Sequence, residues 1–134
     1  MASGDTLVVF GVLENEPPSS NFASIDTRNL QPCLDFDAST DESAVFSGVL
    51  PRNYAGGGIT VRLAWAATSA TSGTCRWSVA IERQEDEGQD LDSDSFATAG
   101  TTGATAPGTS GALQYTDIAF SNGAAMDSLA VGER

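Results

Sequence analysis

Any chemistry in this chain has to come from carboxylates, arginines, hydroxyls and two thiols. Its 134 residues include 18 Asp plus Glu, 6 basic residues that are all Arg (28, 52, 62, 76, 83 and 134), and no His or Lys. Without His there is no Ser-His or Cys-His nucleophile pair, no imidazole base and no imidazole metal ligand. Without Lys there is no Schiff base and no phosphate-loop lysine. The densest carboxylate run is 85–94, with Glu85, Asp86, Glu87, Asp90, Asp92 and Asp94. Oxygen-rich loops suit calcium, but a calcium loop begun at Asp90 puts Ser95 where the turn needs Gly and Thr101 where the bidentate Glu belongs. The run therefore reads as a solvated hairpin tip leading into a strand with one acidic face. Asp35 and Asp37 flank Phe36. Neighbours at i and i+2 on a strand do not face each other across a cleft as a glycosidase pair must, so they read as strand-edge polarity. Gly56-Gly57-Gly58 lacks the Gly-Lys-Ser/Thr of a phosphate loop and reads as a turn into a strand.

Cys33 and Cys75 allow one disulfide or two semi-buried thiols, and they cannot build a zinc site alone. Three aromatics are candidates for ligand stacking: Tyr54, on a loop beside the glycine run and expected to be exposed, and Trp65 and Trp77, whose neighbours point them toward a core. The balance of these residues predicts no catalytic, metal or cofactor site, and a protein that is not an enzyme.

The elements that hold these residues follow from composition. One compact domain fits 134 residues. The formal net charge of -12 opposes nucleic-acid binding, which needs positive charge to displace counterions from phosphates. Residues 7–13 form an apolar run broken by Gly11 and ended by Glu14, which reads as a strand rather than a signal peptide or a membrane span. β-Branched and aromatic residues come in short runs bounded by Gly, Pro, Asn and Asp. That pattern predicts an all-β fold, a two-sheet antiparallel β-sandwich that is jelly-roll-like, with strands at about 6–13, 33–37, 44–50, 59–67, 74–83, 90–97 and 113–121. The domain spans 1–134, with 1–21 an amino-terminal strand plus a Pro/Ser-rich loop and 22–134 the main body. Residues 100–111 read as a low-complexity loop, and 122–129 as a single helical turn. Val61, Leu63 and Trp65 alternate with polar or small residues, as do Trp77, Val79 and Ile81. A hairpin turning through 68–73 would place Trp65 opposite Trp77, Leu63 opposite Val79 and Val61 opposite Ile81.

Three stretches carry a resemblance: DESAVFSGVLPRNYAGGGITV at 41–61, WAATSATSG at 65–73 and DIAFSNGAAMD at 117–127. From about Leu30 onward the chain resembles a family of small β-sandwich virion structural proteins of tailed phages and environmental viruses. The resemblance implies a virion location and a capsid decoration, cement or fibre-type subunit. Such a subunit acts through a homo-oligomer, with a trimer expected, and through contacts with a major capsid or fibre protein. It carries over no catalytic residues, and the charge and the broken apolar run separately predict no nucleic-acid and no membrane partner. The family's pattern runs on past Arg134 for one or two strands, which implies an open sheet edge here. A neighbouring subunit, through its 6–13 strand, is expected to cover that edge. The alternative is a carbohydrate- or receptor-binding β-sandwich module using Tyr54, Trp65 and Trp77; a secreted structural domain unrelated to viruses is a third reading.

Overall fold

A computed structural model describes residues 4–134. Six strands and two 3-10 turns appear in chain order: a 3-10 turn at Val12–Glu14, β1 (Ser24–Arg28), β2 (Gln31–Asp35), β3 (Ile59–Trp65), β4 (Thr74–Val79), β5 (Gly100–Thr105), β6 (Gln114–Phe120) and a 3-10 turn at Ala124–Met126. The chain is mostly β, and its strands pair antiparallel in three two-stranded ladders, β1–β2, β3–β6 and β4–β5. It divides into two compact units: one runs to Tyr54 and takes in Arg134, the other is Ala55–Glu133.

In the first unit β1 and β2 form a hairpin that pairs Arg28 with Gln31 and closes through Asn29 and Leu30. Both turn residues have positive φ, 47° and 66°, as a two-residue turn matched to the strand twist demands. Asn tolerates that region, whereas Leu pays for its Cβ there. Little of this unit is buried: Ala23, Leu50 and Tyr54 are the buried apolar residues described. A ring contact and hydrogen bonds from backbone and side chain hold the rest. Phe10 and Phe46 lie with ring centroids 5.5 Å apart, Glu16 donates its N–H to the Val45 carbonyl at 2.7 Å, and Ser47 Oγ donates to the Glu16 carboxylate at 2.8 Å.

The second unit holds the larger core. β3 and β6 pair over their full lengths, from Ile59 opposite Phe120 to Trp65 opposite Gln114. Ile59, Val61, Leu63 and Trp65 share the covered face of β3, and Thr116, Ile118 and Phe120 the buried face of β6. The same period-two alternation puts Trp77 and Val79 of β4 and Ala104 of β5 on a covered face. The two ladders touch. Trp65 and Trp77 have ring centroids 5.8 Å apart at an interplanar angle of 57°, and a Cβ on Gly100 would stand 2.9 Å from Ile118 Cγ2. Trp65 Nε1 donates to Thr116 Oγ1 at 2.8 Å, which satisfies the indole of a part-buried ring. Met126, fully buried, plugs the carboxy-terminal turn. Arg83 ties that turn down: its N–H donates to Asp127 Oδ2 at 2.8 Å and its guanidinium to the Ser128 carbonyl at 3.2 Å.

Several expectations need correction. The hairpin that put Trp65 opposite Trp77 does not form: β3 pairs with β6 and β4 with β5. The tryptophans meet between ladders rather than across one. β6 offers β3 an equally good period-two apolar partner in Ile118 and Phe120, and β5 is free to take β4. The 100–111 segment is half strand, because Thr101, Thr102 and Thr105 are β-branched and Gly100 sits where Ile118 and Phe120 leave no space for a side chain. Segments 44–50 and 90–97 carry no strand. The second turns at Asp90, whose carbonyl and carboxylate collect the N–H groups of Ser93, Asp94 and Asp92. Residues 6–13 enter no ladder. β1 was not foreseen.

Candidate functional site

Asp37, Glu85 and Asp90, among the carboxylates singled out in the sequence, are engaged by local structure. Asp37 Oδ1 accepts from Ser39 N–H at 2.6 Å, Ser39 Oγ at 2.7 Å and Thr40 N–H at 3.1 Å. These bonds, led by the Ser39 hydroxyl, hold its carboxyl below the ordinary value. Asp35 ends β2 and pairs in register with Ser24. Glu85 forms an ion pair with Arg83 at 2.9 Å. Among the described residues no three Cys, Asp or Glu side chains gather where a metal ion could be held.

Cys33 and Cys75 are free thiols. Partial burial pushes the Cys75 thiol up, and Trp77 beside it acts the other way. Of the three aromatics, Tyr54 is buried, at 7% exposure, rather than exposed on its loop. Trp65 and Trp77 are half-buried against each other. The glycines at 56–58 form the turn into β3, with Gly56 and Gly57 at φ 86° and 106°. The backbone of Phe120 lies against Gly58, whose Cβ would be 2.5 Å from its carbonyl oxygen.

An accessible aromatic lies elsewhere. Tyr115, on the outer face of the β3–β6 ladder, is 61% exposed, and the Arg62 guanidinium stands 5.9 Å from its ring centroid. Arg62 is directly opposite Asp117 and donates to both carboxylate oxygens at 2.8 Å. That fork is the chief reason the Asp117 carboxyl lies below its ordinary value. In the sequence the three were hidden by belonging to strands read for their apolar faces.

The most unusual surface is apolar and lies in the first unit. Val9, Leu13, Ile25 and Leu30 are 74%, 72%, 60% and 90% exposed, and Phe22 and Val49 are also exposed. Scattered exposed apolar residues are ordinary, whereas this many in a unit with three buried ones are not. An open groove of about 280 Å³ is lined by Asn15, Pro17, Phe22, Ala23, Ser24 and Ile25. Asn15 Oδ1 is buried and makes no hydrogen bond. Such a surface can hold another apolar chain. No described helix is long and apolar enough to cross a membrane. Comparison with protein-family models, with curated proteins and with solved structures finds no match to this chain.

Proposed function

We propose that this chain is a non-enzymatic structural subunit that works by self-association, of the capsid decoration, cement or fibre type on a virus particle. One observation carries the reading: the first unit leaves more large apolar side chains in water than it buries, a state that association relieves. The sequence resemblance to small virion β-sandwich proteins supplies the location. In this reading the ladders β3–β6 and β4–β5 are the two layers of a jelly-roll-like sandwich, supported by the Trp65–Trp77 contact and the approach of Gly100 to Ile118. The net charge of -12 suits an outward-facing surface, because it repels nucleic acid and keeps the protein soluble. A trimer on a major capsid or fibre protein is the arrangement the resemblance favours. Immunogold electron microscopy tests the reading, using an antibody to the exposed turn at 90–94. Gold on intact virus particles supports it, and gold confined to material outside particles overturns it.

A second reading, a carbohydrate- or receptor-binding module, is favoured by Tyr115 alone. An exposed ring beside a fixed Arg62–Asp117 fork offers a stacking face and polar partners for sugar hydroxyls. Glycan-array binding lost in Tyr115→Ala supports that module, and an array without signal removes it.

A further inference from the structure

We propose that the outer edge of β1 is a strand-addition site for residues 7–10 of a second copy of this chain. The proposal rests on the self-association reading and names its contact. Pro32, opposite Thr27, has no N–H, so these two form a pair that exchanges no ladder bonds. In an antiparallel ladder the alternate pairs then carry the bonds, Asp26 with Cys33 and Arg28 with Gln31. The backbone groups of Ile25 and Thr27 on one side, and of Pro32 and Leu34 on the other, point away from the ladder. The two edges are not equivalent. Pro32 blocks the β2 edge. On the β1 edge Ala23 N–H already donates to the Ser43 carbonyl at 3.1 Å and Thr27 N–H is covered by its neighbour Asp26 Oδ1 at 2.7 Å, which leaves the short stretch between them open at Ile25, whose side chain is 60% exposed and lines the groove.

The same unit carries a segment suited to that edge. Residues 7–10 are Leu-Val-Val-Phe, without charge and rich in β-forming types. Leu7, Val8 and Val9 make no backbone hydrogen bond among the described residues. Val8 and Phe10 face their own copy: Phe10 Cε1 and Val8 Cγ1 lie 2.9 and 3.4 Å from where a Gly48 Cβ would sit. Val8 and Phe10 are nonetheless 38% and 44% exposed, and the intervening Val9 is 74% exposed. The segment is thus docked on one face and offers its backbone and Val9 outward. Placed on β1 of a second copy, Val9 fills the groove beside Phe22 and Ile25. An incoming N–H there can reach the unbonded Asn15 Oδ1.

Area argues for a second copy as the occupant. The chain exposes 8950 Å². Two wholly separate compact bodies of these lengths, roughly 6 and 8 kDa, would expose only about 8,000 Å² together. The surplus of about 1,000 Å², taken over both units, is of the same order as the area one partner buries in a specific stable interface, about 800 Å². Donor and acceptor lie on one chain, so a closed assembly satisfies both in every copy. The uncharged donor brings no carboxylate to a partner that is itself acidic.

The test measures molar mass by light scattering over a dilution series of the full chain, Val9→Asp, Ile25→Pro and Val131→Asp, with folding checked by circular dichroism. Ile25→Pro removes an N–H that the ladder does not use. The proposal expects wild type and Val131→Asp to assemble alike, and Val9→Asp and Ile25→Pro to dissociate at about thirtyfold higher concentration, the effect of one interface hot spot. Assembly unchanged in both overturns this contact while self-association stands. A monomeric wild type overturns both. Should the variants not fold, amide exchange on wild type decides: the Val9 and Ile25 amides slow about tenfold or more on assembly, and unchanged rates overturn the proposal.

Discussion

Replacing Gly100 by alanine probes the contact between the two ladders of the second unit, because the same strand contains its control. At Gly100 an added Cβ would lie 2.9 Å from Ile118 Cγ2 and 3.2 Å from two ring carbons of Phe120. Both neighbours are buried, at 4% and 5% exposure, and both belong to β6, so neither can swing into solvent. Overpacking of this kind costs about 1–3 kcal/mol. The alanine also restricts the unfolded chain, which returns about 0.4–1 kcal/mol. The net loss is about 1–2 kcal/mol. At Gly103 nothing lies within 4 Å of the added Cβ, so Gly103→Ala keeps only the entropic gain and stabilises by about 0.4–1 kcal/mol. Urea unfolding followed by tryptophan fluorescence reads both variants, since Trp65 and Trp77 sit in the same core. The reasoning is refuted if the two alanines shift the midpoint in the same direction by the same amount.

Three further outcomes follow from the same structure. Leu30→Gly relieves a leucine held at φ 66° and 90% exposed. The strain relief exceeds the added unfolded-state entropy, so chemical denaturation should show a gain of about 0.5–1 kcal/mol. Met126→Ala empties a fully buried site and should cost about 2–5 kcal/mol in the same assay; a loss under 1 kcal/mol would show that the site collapses or is wet. Asp117 has a folded-state pKa below its unfolded value, first through its hydrogen bonds from Arg62. Its contribution is therefore fully present above about pH 4 and lost as pH falls through the folded value. Asp117→Asn should flatten the stability profile below pH 4, and an unchanged acid limb would contradict the assignment.

The sequence made some elements plain and concealed others for physical reasons. β3, β4 and β6 announce themselves by alternation, because each has one covered face and one wet one. Their pairing is not encoded in that pattern: Val61, Leu63 and Trp65 fit equally against Trp77, Val79 and Ile81 or against Ile118 and Phe120, and only the whole fold selects. The closeness of Trp65 and Trp77 was legible, but not that it bridges two ladders. β1, Ser-Ile-Asp-Thr-Arg, is exposed at every position, so it leaves no hydrophobic signature; its hairpin turn, Asn-Leu, lacks the glycine that marks such turns. β5 was masked by its small residues. Residues 6–13 show the reverse case: the pattern of a strand is present, but the chain supplies it no partner. Tyr115 and its Arg62–Asp117 neighbours were overlooked because outward-facing strand positions read as ordinary solvated polarity.

Self-association is the center of the account, and the molar mass of the native chain in solution tests it most directly. Size-exclusion chromatography with light scattering, at physiological salt and over a range of concentrations, should give a whole multiple of the 13.8 kDa chain, two copies or more, shifting toward the single chain on dilution. The net charge of -12 opposes association at low ionic strength, so the assembled fraction should rise with salt. A folded species of 13.8 kDa at every concentration and salt would contradict the account.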